Sequence, residues 1–249
     1  MLLATRDAGQ GSPVVLLHGL FGSARNLGFI ARGLIDRHHV ISMDMRNHGD
    51  SLHAPGMSYE AMAEDVAETM DSLGLSSAAV LGHSMGGKVA MRLALSAPER
   101  VTRLVVADIA PVSYPSHFGA FARAMMGVPA AASRSAADAQ LAPDVPDPAI
   151  RSFLLHNFKP GVGWRVGLAE IVESLPRIES WGDETSSYAG PTLFVTGARS
   201  DYVQPEQHPR IRALFPAVRF VAIKDAGHWL HAEQPAAFNA TVGPFLDAA

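Results

Sequence analysis

There is no cysteine anywhere in the 249 residues. Disulfides, thiolate metal sites, iron–sulfur clusters and a cysteine nucleophile are thereby excluded. Aromatic residues make up only 7% of the chain and charged residues 18%, and the formal net charge is −4. So slight an acidic balance leaves no basic footprint for nucleic acid or an anionic membrane. The opening MLLATRDAGQG lacks the long apolar stretch of a signal peptide. No run approaches the roughly 20 apolar residues of a membrane-spanning helix. The expectation is a soluble, cytoplasmic protein with no nucleic-acid partner and no membrane span.

Short apolar runs alternate with longer amphipathic stretches. The strand-like runs are residues 13–17 (PVVLL), 40–43 (VISM), 78–81 (AAVL), 103–109 (RLVVADI), 192–195 (TLFV) and 219–223 (RFVAI). Runs apolar on both faces suit a mainly parallel sheet covered on both sides. Between them, residues 59–73 repeat Met62, Val66, Met70 and Leu73 at helical spacing, 86–97 run to a stop at Pro98, and 236–246 form a closing helix. This alternation predicts an α/β fold with a doubly wound sheet flanked by helices.

The alternation breaks once. Residues 112–184 hold no convincing strand run but carry helix-like pieces near 118–126, 149–158 and 168–174, and the Ala- and Ser-rich tract 129–142 suits a further helix. A structureless loop of that length is improbable in a compact domain. The expected organisation is therefore a core of residues 1–111 and 185–249, interrupted by a helical cap at 112–184.

The sharpest chemical signal is Gly82-His83-Ser84-Met85-Gly86-Gly87, directly after one strand run and before a helix. A serine on such a turn needs small neighbours at −2 and +2, and the turn exposes its hydroxyl at the carboxyl edge of the sheet. A Gly-rich packing or phosphate turn is the bland alternative, and the strand–turn–helix context favours a nucleophile. His228, in Asp225-Ala226-Gly227-His228-Trp229 after the last strand run, is the best placed of the eleven histidines to act as base. His231 mimics half of a metal pair, but there is no HExxH and no matching carboxylate pair, so no metal is expected. Two aspartates compete to orient the histidine. Asp108 ends the run RLVVADI, Asp201 follows PTLFVTG, and the order Ser…Asp…His fits both. His18-Gly19-Leu20-Phe21-Gly22 follows the first buried run, where this chemistry takes one oxyanion amide, and Met85 supplies the other. Asp44-Met45-Arg46-Asn47-His48-Gly49-Asp50-Ser51 reads as a hydrogen-bonded brace rather than a reacting element, and Lys88 as a structural or surface residue.

Taken together, HGLFGS, DMRNHG, GHSMGGKVAM, VVADIAPVSY and AGHWLHAEQP resemble the α/β-hydrolase superfamily, and within it the YbfF-type esterases, nearly end to end. The resemblance implies Ser84 as nucleophile, His228 as base, and Leu20 and Met85 as oxyanion donors, with Phe21 the adjacent alternative. It implies a helical cap and hydrolysis of small to medium acyl esters or thioesters without a cofactor. In the common superfamily pattern the acid stands three residues after the Gly closing the penultimate strand. Here that position is Ser200, and Asp201 is one place late. Asp108 lies 24 residues beyond Ser84, at the end of the next strand, and some haloalkane dehalogenases relocate the acid in this way. Asp108 is thus the favoured acid and Asp201 the alternative. The substrate pocket is expected to draw on Phe21, Phe118, Phe121, Met125 and Trp229, with Met126, Phe153 and Trp164 also available. A carbon–carbon bond hydrolase or cofactor-free perhydrolase would use the same triad, and a silent ligand receptor would keep it without turnover.

Overall fold

Val14, Val15, Leu16 and Leu17 are all buried, and alternate members belong to opposite apolar layers. That two-sided burial is why the run pairs as an interior strand, with each such side chain worth about 1.5–3 kcal/mol when fully covered. The computed structural model describes residues 1–115 and 118–248. Among them the strands are β1 Thr5–Ala8, β2 Ser12–Leu17, β3 His38–Met43, β4 Ala78–His83, β5 Val101–Ala107, the two-residue pair β6 Phe158–Lys159 and β7 Gly163–Trp164, then β8 Thr192–Gly197 and β9 Val218–Ile223. The helices are α1 Gly28–Leu34, α2 Tyr59–Ser72, α3 Met85–Ser96, α4 Phe118–Met126, α5 Arg134–Leu141, α6 Pro148–Leu155, α7 Leu168–Ile178, α8 His208–Leu214, α9 Leu230–Glu233 and α10 Pro235–Asp247.

Seven of the strands form one sheet in the order β1-β3-β2-β4-β5-β8-β9. Every pairing in it is parallel except β1 with β3. The expected mostly parallel α/β sheet is therefore present. The edge strand β1 has no counterpart in the sequence reading, because its TRDA is mostly exposed and carries no apolar run. The order reverses between β2 and β4, the kind of switch point at which open α/β sheets place their sites outside the carboxyl ends of the strands. Helices α4 to α7 and the β6–β7 hairpin lie between β5 and β8.

This insertion is fastened to the rest of the chain by buried hydrogen bonds. Gly167 N–H donates to Asn47 C=O at 2.9 Å, and Met57 N–H donates to Ser174 Oγ at 3.2 Å. The Tyr59 hydroxyl donates to Ile178 C=O. Lys88, expected to be structural or at the surface, is 1% exposed. Its Nζ donates to Ser180 C=O at 3.1 Å and lies over the rings of Tyr59 and Tyr114 at 5.2 and 4.9 Å. Burial pulls its pKa down to about 7, against a smaller opposing pull from Glu179.

Candidate active site

The turn after β4 is built on steric necessity. A Cβ on Gly82 would stand 2.1 Å from Gly86 O, and one on Gly86 would stand 2.3 Å from Leu17 O. Glycine at −2 and +2 is what lets β4 bend straight into α3. Ser84, at the apex, has φ +52° and ψ −119°, a strained conformation for a residue with a Cβ.

Three strand ends converge on this serine. Ser84 N–H donates to Ala107 C=O at 3.0 Å, and Asp108 N–H to Val195 C=O at 2.9 Å, so each turn continues the ladder of its neighbour. His228, five residues beyond β9, reaches back across the sheet. Its Nε2 lies 3.1 Å from Ser84 Oγ and its Nδ1 lies 2.8 Å from Asp108 Oδ2. An Nδ1 facing a carboxylate carries the proton, which leaves Nε2 to accept the serine hydrogen bond. Asp108 is fully buried, with φ +54°. Its Oδ1 accepts from Gly197 N–H at 3.1 Å and its Oδ2 from the Ser200 hydroxyl. Asp201 is exposed, and among the described residues no side-chain contact joins it to His228.

Two further contacts hold His228, one at its ring and one at its backbone. The Tyr202 ring stacks on it at 3.9 Å with 18° between the planes. His83 Nε2–H donates to His228 C=O at 2.8 Å. The His231 ring packs edge-on against His83 at 4.5 Å, and burial depresses its pKa to about 4. Among the described residues no cluster of side chains fits a metal ion.

The loop after β2 is held by a pair of neutral histidines. His18 Nδ1–H donates to Gly19 C=O at 2.8 Å, and its Nε2 accepts from Met45 N–H at 2.9 Å. His48 Nδ1–H donates to Arg46 C=O at 2.9 Å, and its Nε2 accepts from Phe21 N–H at 3.0 Å. Burial is the main cause that lowers the two pKa values, to about 4 for His18 and about 3 for His48. The Phe21 amide is thereby spent on His48 and is not free for a substrate oxygen, which corrects its standing as an alternative donor. Leu20 N–H has no acceptor among the described residues. Met85 is the first residue of α3, so its amide is one of the helix's unsatisfied donors.

Ser84 and His228 open into a cavity of about 300 Å³ whose walls include Leu20, Phe21, Phe118, Phe121, Phe153, Tyr202 and Trp229. Met125, expected among them, is fully buried and does not line it. Its side chain points into the apolar core, and its carbonyl accepts from Trp164 Nε1–H at 2.7 Å. Met126 is 53% exposed and likewise lies outside the cavity. Sequence reasoning did not single out Tyr202, Asn157, the contact of His18 with Met45 or that of Ser200 with Asp108. The DMRNHG brace was the one signal that pointed towards His48.

A family model described as the alpha/beta hydrolase family matches residues 14–241. The chain is 44% identical over 246 residues to the sn-1-specific diacylglycerol lipase ABHD11 of Mus musculus, covering 94% of this chain and 80% of that protein. It is 39% identical over 241 residues to the esterase YbfF of Escherichia coli K12, covering 96% and 94%. Among solved structures, a marine microorganism esterase superposes with a TM-score of 0.95 at 37% identity, covering 98% of this chain and 99% of that one.

Proposed function

The chain belongs to the alpha/beta hydrolase family, and on that premise we propose that it is a serine carboxylic ester hydrolase acting on small to medium acyl esters or thioesters. The carrying observation is the single imidazole that spans Ser84 Oγ at 3.1 Å and Asp108 Oδ2 at 2.8 Å at the floor of an apolar cavity. The similarity to proteins named as esterases and a lipase supports the same reading.

In this mechanism Ser84 Oγ attacks the acyl carbon while His228 Nε2 takes the hydroxyl proton. The carbonyl oxygen becomes an oxyanion and is met by the amides of Leu20 and Met85. Collapse of this intermediate expels the alcohol or thiol, to which His228 returns the proton. Water, activated by the same imidazole, then releases the acid from Ser84. Asp108 holds the Nδ1–H tautomer and stabilises the imidazolium as it forms.

The cavity also bears on substrate class. His18, His83 and His231 line it, and burial lowers all three pKa values: to about 4, well below the ordinary value, and to about 4. They bring no cationic charge there at neutral pH, which suits an uncharged acyl group. About 300 Å³ sits at the small end of ligand pockets. The test is turnover. Purified protein should release p-nitrophenol from short-chain esters and Ser84→Ala should not. Equal inertness of the two proteins across chain lengths would sink the proposal.

A further inference from the structure

We propose that Asn157 of the helical insertion is a positioning residue for the Leu20 amide, acting through a hydrogen-bonded chain of two peptide groups. The inference rests on the serine-esterase reading above. Asn157 is buried just beyond α6. Its Nδ2–H donates to Phe21 C=O at 2.6 Å, with a longer contact of 3.4 Å to Leu154 C=O.

The path from there to the reacting oxygen follows from peptide planarity. Phe21 C=O shares a rigid trans plane with Gly22 N–H, so fixing one aims the other in the opposite direction. Gly22 N–H donates to Gly19 C=O at 2.9 Å. Gly19 C=O in turn shares its plane with Leu20 N–H, the amide left without an acceptor. Asn157 therefore stands at the head of a chain whose last donor is the one offered to the oxyanion. Hydrogen bonds in series polarise one another, which strengthens that last donor as well as aiming it.

Phe21 shows why the chain needs a clamp. It has φ +59°, an outlier conformation for a bulky residue. A loop strained in this way relaxes by rotating one of the flanking peptide planes unless both are held. His48 holds the Phe21 N–H, and Asn157 holds the Phe21 C=O. The first clamp comes from the core and the second from the insertion. Attachment of the insertion is thereby coupled to the geometry of the oxyanion site. Its other flank is held separately, by Gly167, Ser174 and Ile178, so removing the Asn157 amide does not by itself release it.

The experiment compares wild type, Asn157→Leu, Asn157→Asp and the control Arg165→Ala, which removes an exposed side-chain pairing with Asp50 but keeps the Arg165 N–H bond to Asn157 C=O. The readouts are kcat and KM for p-nitrophenyl butyrate and Ki for an alkyl trifluoromethyl ketone, which adds Ser84 Oγ and presents an oxyanion. Complete loss of one oxyanion donor costs about 10²–10³ in rate, so misaiming one should lower kcat by about 10–100-fold. KM should stay within about threefold, Ki should weaken in proportion to kcat/KM, and the Arg165 control should match wild type. Unfolding curves establish which variants fold, and either folded Asn157 variant decides the question. A kcat within about threefold of wild type, a loss confined to KM, or an equal loss in the control would overturn the proposal. Failure of both variants to fold would assign Asn157 a structural role and overturn it too. Wild-type protein inert towards these esters would instead bring down the esterase reading, and this proposal with it.

Discussion

Ser200 donates its hydroxyl to Asp108 Oδ2, the same oxygen that faces His228 Nδ1 at 2.8 Å. Ser200 stands three residues after Gly197, the last residue of β8, so the carboxylate comes from the end of β5 and the hydroxyl from the loop after β8. The hydroxyl meets the carboxylate, and the carboxylate meets the histidine. The geometry makes opposite demands of the two aspartates. Asp108→Asn should lower kcat by about 10³–10⁴ by permitting the wrong imidazole tautomer, and Asp201→Asn should cost about tenfold or less. Steady-state kinetics on a short-chain ester checks both, and the reverse pattern would move the role to Asp201.

The neutral histidines predict acid sensitivity. His18 and His48 have folded pKa values of about 4 and about 3, below the ordinary 6.5. Between those values the unfolded chain binds the extra protons, so their stabilising effect is complete above about pH 6.5 and is lost as pH falls towards 3–4. The slope is about 1.4 kcal/mol per pH unit for each histidine protonated only when unfolded. Urea unfolding at pH 7 and pH 5 should show the loss, and His48→Phe should lessen it. An undiminished pH dependence in that variant would refute the assignment to His48.

Lys88 has the same kind of charge problem in a higher pH range. Its folded pKa of about 7 lies below the ordinary 10.5, so between these values the unfolded chain again holds the extra proton. Its burden on the fold is present below about pH 7 and disappears as pH rises towards 10.5. Lys88→Met should raise Tm by several degrees at pH 7 and by much less at pH 10, and the difference between the two thermal scans isolates this one residue. A constant gap across that range would refute it.

Phe121 and Phe118 supply apolar wall on the insertion side of the cavity. Phe121→Ala should move the best acyl chain to a longer length, with kcat/KM for the longest esters rising relative to the shortest by about tenfold. A panel of p-nitrophenyl esters of graded length reads this directly. An unchanged profile would place the acyl group elsewhere.

What could be read before any fold was known follows how local each constraint is. The Ser84 turn was legible because its demands fall on five consecutive residues: small groups at 82 and 86, a strand before and a helix after. Strands β2, β4 and β5 were legible because burial on both faces leaves an unbroken apolar run. β1 was not, since its pairing depends on β3 and not on its own composition. Met125 was misplaced because apolar character says that a side chain is buried, not which side of a helix faces a cavity.

The sequence by itself determined the fold class, the strained turn that carries Ser84, and the short list of residues able to meet it. Each of those rests on short-range sterics or on hydrophobic period, and both are written in neighbouring residues. Tertiary structure alone decided which aspartate meets His228, that the Phe21 amide is taken by His48, and that Asn157 reaches Phe21 across 136 positions of chain. Hydrogen bonds are decided within a few tenths of an ångström. Positions that far apart along the chain acquire such precision only when sheet register and loop path bring them together.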